Sequence, residues 1–132
     1  MSAASLRGPL LAGIAGAAAA TLLHVRDPHT SGSYGFCPFL AITGRPCPGC
    51  GGLRAINDLT HGDLAAAVSS NVLAVALVVV LTVAWARWTF LRLRGGDDGS
   101  LTLGARGATV VLAVVAAFGI VRLTPWGAWL QP

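Results

Sequence analysis

The sequence predicts an all-α membrane protein of three transmembrane helices, with a short amphipathic or re-entrant Cys-bearing helix before the second span. Three observations lead there. Hydrophobic residues make up 55% of the 132 residues and charged residues 11%, about half the charged share of a soluble domain. The apolar residues fall into three long runs. The reactive side chains gather in one segment between the first two runs, "RPCPGCGGLRAINDLTHGD", Arg45 to Asp63. With a mean hydropathy of +0.71 the chain has too little polar surface to cover a water-soluble globule, and a bilayer is the solvent that suits it. The length is enough for one domain, so residues 1–132 are read as a single integral membrane unit.

The first run spans about residues 10–25, the second 64–88 and the third 105–123. A helix needs about 20 apolar residues to cross the ~30 Å hydrocarbon core. The second and third meet that length. The first is alanine-rich and only just does, since alanine contributes little transfer energy. Met1 to Ala20 also reads as a signal peptide, with Arg7 as the charged start, an apolar stretch and then small residues suited to cleavage. Against cleavage, the apolar run continues through Leu22, Leu23 and Val25.

Tryptophans mark span ends, Trp85 and Trp88 on the second and Trp126 and Trp129 after the third; such rings prefer the headgroup level. Arg87, Arg92, Arg94 and Arg106 flank the loop 92–104, and positive charge on a short loop is retained in the cytoplasm. The expected topology follows: N-terminus cytoplasmic, residues 26–62 extracytoplasmic, in a bacterial inner membrane. The net charge of +4 comes from scattered arginines without a basic stripe or aromatic interleaving, which excludes nucleic acid as an expected partner. Gly13 with Gly16, and Gly104 with Gly107, offer small surfaces for helix contact, though neither pair has GxxxG spacing.

The outer segment carries the chemistry. Its first half, to about Gly44, reads as a Pro-, Gly- and Ser-rich loop. From about Pro48 to Gly62 a short helix is expected, with Pro at its first turn and Gly at its end. At about 100° per residue, Cys47, Cys50, Arg54, Asp58 and His61 fall within an arc of roughly 80°, while Leu53, Ile56 and Leu59 point the other way. That makes an amphipathic segment lying on, or dipping into, the membrane surface. A plain interfacial linker accounts for Arg54 and Asp58; it does not account for the cysteines.

Three uses of Cys37, Cys47 and Cys50 stand open. "CPGCG" has the form of a metal knuckle, in which a tight turn aims two sulfurs at one ion, with Cys37 as a third ligand and His61, His29 or His24 as a fourth; zinc and iron are the candidate ions. A C-x-x-C pair on the oxidising side of a membrane is also a redox dithiol, with Cys37 exchanging into it. Or two of the three form a structural disulfide, leaving one spare. No c-type haem site is present, since Gly51 follows Cys50 where that motif needs His. Asp58, Asp63, Arg54 and Asn71 are supporting candidates. Asn71 lies in the outer part of the second span, where a polar group usually hydrogen-bonds to a neighbouring helix. Arg122 reads either as an arginine snorkelling to the interface or as a partner of Asp58 or Asp63.

Taken together, Cys37-Pro38-Phe39, Thr43-Gly44, Cys47 to Gly51, Leu53-Arg54-Ala55, Gly62-Asp63 and Asn71 resemble the bacterial membrane family catalogued as domain of unknown function 2752. The likeness covers about Asp27 to Trp88. Many members have Pro after the Asn; Val72 stands there in this chain, which argues against a helix break at that point. The resemblance implies a small multi-pass inner-membrane protein and no established reaction. The functional expectation is a non-enzymatic membrane protein whose outer Cys motif binds a metal or forms a structural clasp, within a homo-oligomer or beside another membrane protein. The alternative is a membrane thiol-disulfide oxidoreductase using Cys47 and Cys50.

Overall fold

The computed structural model describes residues 3–30, 34, 37–95 and 105–125. It is all-helical among those residues: α1 (Ala3–Val25), α2 (Pro38–Thr43), α3 (Gly52–Thr60), α4 (Leu64–Leu93) and α5 (Ala105–Leu123). Trp126, Trp129 and most of the loop 92–104 lie outside the described residues.

Three helices, α1, α4 and α5, are long and apolar enough to cross a membrane. Their outward surfaces carry Leu77, Val79, Val80, Leu81 and Val83 on α4 and Val110, Val111, Leu112 and Ile120 on α5. Such exposure is unfavourable in water and ordinary in lipid, where helices associate by close packing and polar contacts rather than by hiding apolar surface. The packed centre is accordingly small and made of small residues: Ala55 of α3 against Ala67 and Val75 of α4, with Leu59, Val68 and Ala74 around them.

The second span, α4, is broken. Asn71 has φ −167° and ψ 97°, so its backbone is extended inside an otherwise helical run. The expectation of an unbroken helix, drawn from Val72 in place of proline, is overturned. Asn71 supplies the break by capping: its Oδ1 accepts from the Ala74 N–H at 3.0 Å, three residues on, which is the geometry of a helix N-cap. Val72 to Leu93 then spans about 33 Å at 1.5 Å per residue, a good match to the hydrocarbon thickness. The turns before Asn71 belong to a cap at one end of the molecule, packed against α3.

Within that cap, Asp63 starts α4, its Oδ1 accepting from the Ala66 N–H at 2.9 Å. On its other side α3 leans on both α1 and α4. Asn57 Nδ2 donates to the Leu23 carbonyl at 2.7 Å and ties α3 to the end of α1. Lower down, α1 meets α4 through Pro9: Trp85 Nε1 donates to the Pro9 carbonyl at 2.8 Å. Gly8 and Gly13 make room for the two indoles, since a Cβ on Gly13 would lie 2.9 Å from Trp85. Gly16 meets nothing within 4 Å, so of the pair noted in the sequence only Gly13 serves a helix contact.

The short Cys-bearing helix before the second span is present, but it starts later than the periodicity predicts. α3 begins at Gly52, and Gly51 before it sits at φ +81°, a left-handed conformation that favours glycine. Cys47 to Cys50 form a tight turn leading into the helix. The loop-like reading of the first half is also corrected, because Pro38–Thr43 is a helical turn and a half ending in Gly44 at φ +68°. The buried side of α3 is Ala55, Asn57 and Asp58, while Leu53 is exposed. The inward side of α3 is thus mixed, with Asn57 and Asp58 buried beside Ala55 and Leu59.

Candidate metal centre

The Cys47–Cys50 turn closes on itself: the Cys50 N–H donates to the Cys47 carbonyl at 3.0 Å, and the Cys47 N–H reaches the Cys50 sulfur at 3.3 Å. This aims both sulfurs to one side, 3.2 Å apart. Cys37, at the N-cap of α2, brings its sulfur to 3.6 Å from that of Cys47. All three sulfurs lie within 4.8 Å of one another, each half-buried and in the free thiol form. A tetrahedral ion with metal–sulfur bonds of about 2.3 Å separates its sulfurs by about 3.8 Å, close to these spacings. A disulfide needs about 2.05 Å.

The environments of the thiols differ. The Leu40 amide and then the Cys50 thiol favour the Cys37 thiolate and hold its pKa at about 7. Burial pushes Cys50 up to about 12, helped by the neighbouring Cys47 and Cys37 sulfurs. A cation placed among the sulfurs reverses that penalty, since metal ligation deprotonates a thiol outright.

The carbonyl side of the same turn is held from below by two spans. Asn71 Nδ2 donates to the Pro48 carbonyl at 2.9 Å and the Cys50 carbonyl at 3.1 Å. Arg122 of α5 is fully buried, and its Nη1 donates to the Cys47 carbonyl at 3.0 Å and the Cys50 carbonyl at 2.9 Å. Its Nη2 lies 3.4 Å from the Ser70 carbonyl, which the break at Asn71 leaves available. Gly119, one turn earlier on α5, lets Pro48 pack onto the helix: a Cβ there would sit 2.8 Å from Pro48 Cγ. Arg45 Nη1 closes the edge on the Leu123 carbonyl at 3.0 Å. The sulfurs therefore ride on a turn whose oxygens are pinned.

The other sequence candidates occupy a second cluster. Asp58 is buried and accepts from Ser70 Oγ at 2.9 Å, while its other oxygen lies 3.4 Å from His29 Nε2. His29 Nδ1 reaches Asp27 at 2.8 Å, and the His29 backbone N–H, followed by the ring, holds the Asp27 carboxyl below its usual range. Arg54 Nε points at the Pro28 carbonyl, 3.4 Å away. His61 caps the end of α3 with Nδ1 2.9 Å from the Asn57 carbonyl and stacks on His24 with ring centroids 4.1 Å apart. His24 Nδ1 in turn lies 3.1 Å from Thr60 Oγ1. The structure thus gathers Cys37, Cys47 and Cys50 with Asn71. Asp58 is placed with His29, His61 with His24, and Asp63 at the α4 cap. Residues the sequence reading passed over include Asn57, Ser70 and Gly119; the signal available for the first two was a polar side chain beside an apolar run.

The helices and the sulfur triad define a class: a protein with three candidate membrane spans and a cysteine cluster able to hold a metal ion. Residues 37–85 match the model of the family described as protein of unknown function (DUF2752), in agreement with the resemblance drawn from the motifs. The matched segment runs from Cys37 through the sulfur turn and α3 to Trp85 of α4, and leaves α1 and α5 outside it. No curated protein and no solved structure matches the chain.

Proposed function

We propose that the protein is a membrane-embedded thiolate metal-binding protein, with Cys37, Cys47 and Cys50 as ligands of one zinc-class ion. The observation that carries this is the triad of free sulfurs at tetrahedral-edge spacing on a turn fixed by Asn71 and Arg122. Asn71 acts as a support of the turn rather than a ligand, and Asp58 and Asp63 act as structural carboxylates of the cap. Residues 1–132 form one membrane unit, with the loop 26–62 extracytoplasmic and the N-terminus and loop 92–104 cytoplasmic in a bacterial inner membrane. The arginines at 87, 92, 94 and 106 support that orientation.

The test is metal content and thiol access on the full chain purified in mild detergent. One zinc-class ion per chain is expected, lost in Cys47→Ser and Cys50→Ser, with thiols uncovered by chelator alone. Thiols uncovered by reductant and not by chelator would instead establish the oxidoreductase or the structural disulfide. The Cys37 thiol beside the Cys47 sulfur, held near 7, favours the oxidoreductase as the second reading, since the thiolate is the form that attacks an incoming disulfide.

A further inference from the structure

Resting on that metal reading, we infer that the centre is an open one: the chain supplies three thiolates, and the fourth coordination position takes an exchangeable neutral donor from outside it. Three independent observations converge on this.

The first is elimination. Among the described residues, the His, Cys, Asp and Glu side chains whose ligand atoms cluster around the sulfurs stop at three. The chain has three cysteines and no glutamate, so a fourth ligand of this kind from the chain would be a histidine or an aspartate. His24 and His61 stack on each other, and His29 lies between Asp27 and Asp58. Asp63 caps α4. Asp97 and Asp98 lie outside the described residues.

The second is charge. Three thiolates and a divalent cation carry one net negative charge. The Arg122 guanidinium, fully buried and bonded to the Cys47 and Cys50 carbonyls, supplies one positive charge directly beneath. A neutral fourth donor leaves that set balanced, whereas a fourth thiolate or carboxylate leaves a surplus charge in a poorly solvated place.

The third is access. All three cysteines are only half-buried, and the supports of their turn come from the carbonyl side, so the sulfur side stays reachable. Structural zinc sites are closed by four protein ligands, while sites that exchange ligands keep one position for water or substrate. The expected resting ligand is water, and the incoming ligand is an unhindered neutral nitrogen donor such as an imidazole.

The experiment is cobalt substitution of the full chain in lipid nanodiscs, followed by an imidazole titration read by visible absorption. A thiolate-to-cobalt band reports that the sulfurs bind the ion. The expected result is that imidazole shifts the cobalt d–d bands saturably and reversibly while the thiolate band persists, and that His24→Ala, His29→Ala and His61→Ala leave the starting spectrum unchanged. A loaded protein whose spectrum ignores imidazole, or whose starting spectrum changes in one of the histidine variants, overturns the open position and leaves the metal site standing. Absence of any thiolate-to-cobalt band overturns the metal reading itself, and this inference with it.

Discussion

Arg122 Nη1 lies 3.0 Å from the carbonyl oxygen of Cys47, across 75 residues of chain. The same nitrogen reaches the Cys50 carbonyl at 2.9 Å. One guanidinium thus bonds the last described turns of α5 to both ends of the sulfur turn. Replacing it by Leu removes hydrogen bonds from a charged donor, each worth about 1.5–3 kcal/mol, while the Cys47 carbonyl keeps the Cys50 N–H and the Cys50 carbonyl keeps Asn71 Nδ2. Arg122→Leu is expected to lower the thermal unfolding midpoint in detergent and to speed alkylation of Cys47. Arg122→Lys keeps the charge but loses the fork and should fall between. An Arg122→Leu protein as stable and as slowly alkylated as the parent would remove this role.

Asn71 does two jobs with one amide. Its oxygen caps the inner part of α4 and its nitrogen holds the turn. Asn71→Ala should cost about 2–4 kcal/mol, adding a cap of ~1 kcal/mol to two lost bonds at part-buried carbonyls of about 1 kcal/mol each. Asn71→Asp separates the two roles, because a carboxylate still accepts from Ala74 but cannot donate. It is expected to keep the helical signal by circular dichroism while losing metal affinity. Equal metal affinity in Asn71→Asp and the parent would show that the amide nitrogen does nothing for the site.

Gly119 and Gly16 give a matched pair of substitutions. A Cβ on Gly119 meets Pro48 at 2.8 Å, whereas one on Gly16 meets nothing. Overpacking costs about 1–3 kcal/mol, so Gly119→Ala should destabilise the fold and loosen the sulfur turn. Gly16→Ala should be neutral or slightly stabilising, since alanine suits a helix better by about 1 kcal/mol. Unfolding midpoints of the two variants side by side decide the point.

Thiol reactivity in the metal-free, reduced protein should split by pH. Alkylation needs the thiolate, whose fraction rises as pH passes the pKa. Cys37, held near 7 by the Leu40 amide, should reach half its maximal labelling rate near neutrality. Cys50, pushed to about 12 by burial, should stay protonated and slow until strongly alkaline conditions. Peptide mass spectrometry after a short iodoacetamide pulse at several pH values reads both at once. Identical profiles for the two cysteines would show that their surroundings do not differ as described.

In the metal-free protein, acid should loosen the contact between Asp27 and His29. The Asp27 carboxyl sits below its usual range because the His29 backbone N–H and ring favour its charged form. A depressed carboxylate contributes stability that is present above its unfolded pKa of about 3.9 and is lost as pH falls through the lower folded value. The part of the pH–stability curve below about 4 should therefore flatten in Asp27→Asn. An unchanged acid limb in that variant would mean the contact contributes nothing.

The spans were legible because a bilayer demands a long apolar run, and such runs are visible residue by residue. The resemblance to DUF2752 was likewise carried by short motifs that survive as plain text. What could not be read were relations that depend on phase or on backbone atoms. The stripe linking His61 to the cysteines assumed a helix running from Pro48. Because Gly51 turns left-handed and α3 starts at Gly52, the phase is reset there, and His61 comes to stand with His24. The break at Asn71 was missed because proline advertises a break and a capping side chain does not. Arg122 reads from the sequence as a snorkelling arginine or a carboxylate's partner, yet the bonds described here run to carbonyls, which every residue possesses and no sequence pattern distinguishes.

The order in which the chain leaves the ribosome gives the α5 contacts a further meaning. Cys47, Pro48 and Cys50 are made long before Gly119 and Arg122, the two residues of α5 that clamp them. A growing polypeptide therefore presents its thiols without their guanidinium anchor until that helix is made. A copy that stops short of α5 would lack both the guanidinium bonds and the helix surface on which Pro48 rests.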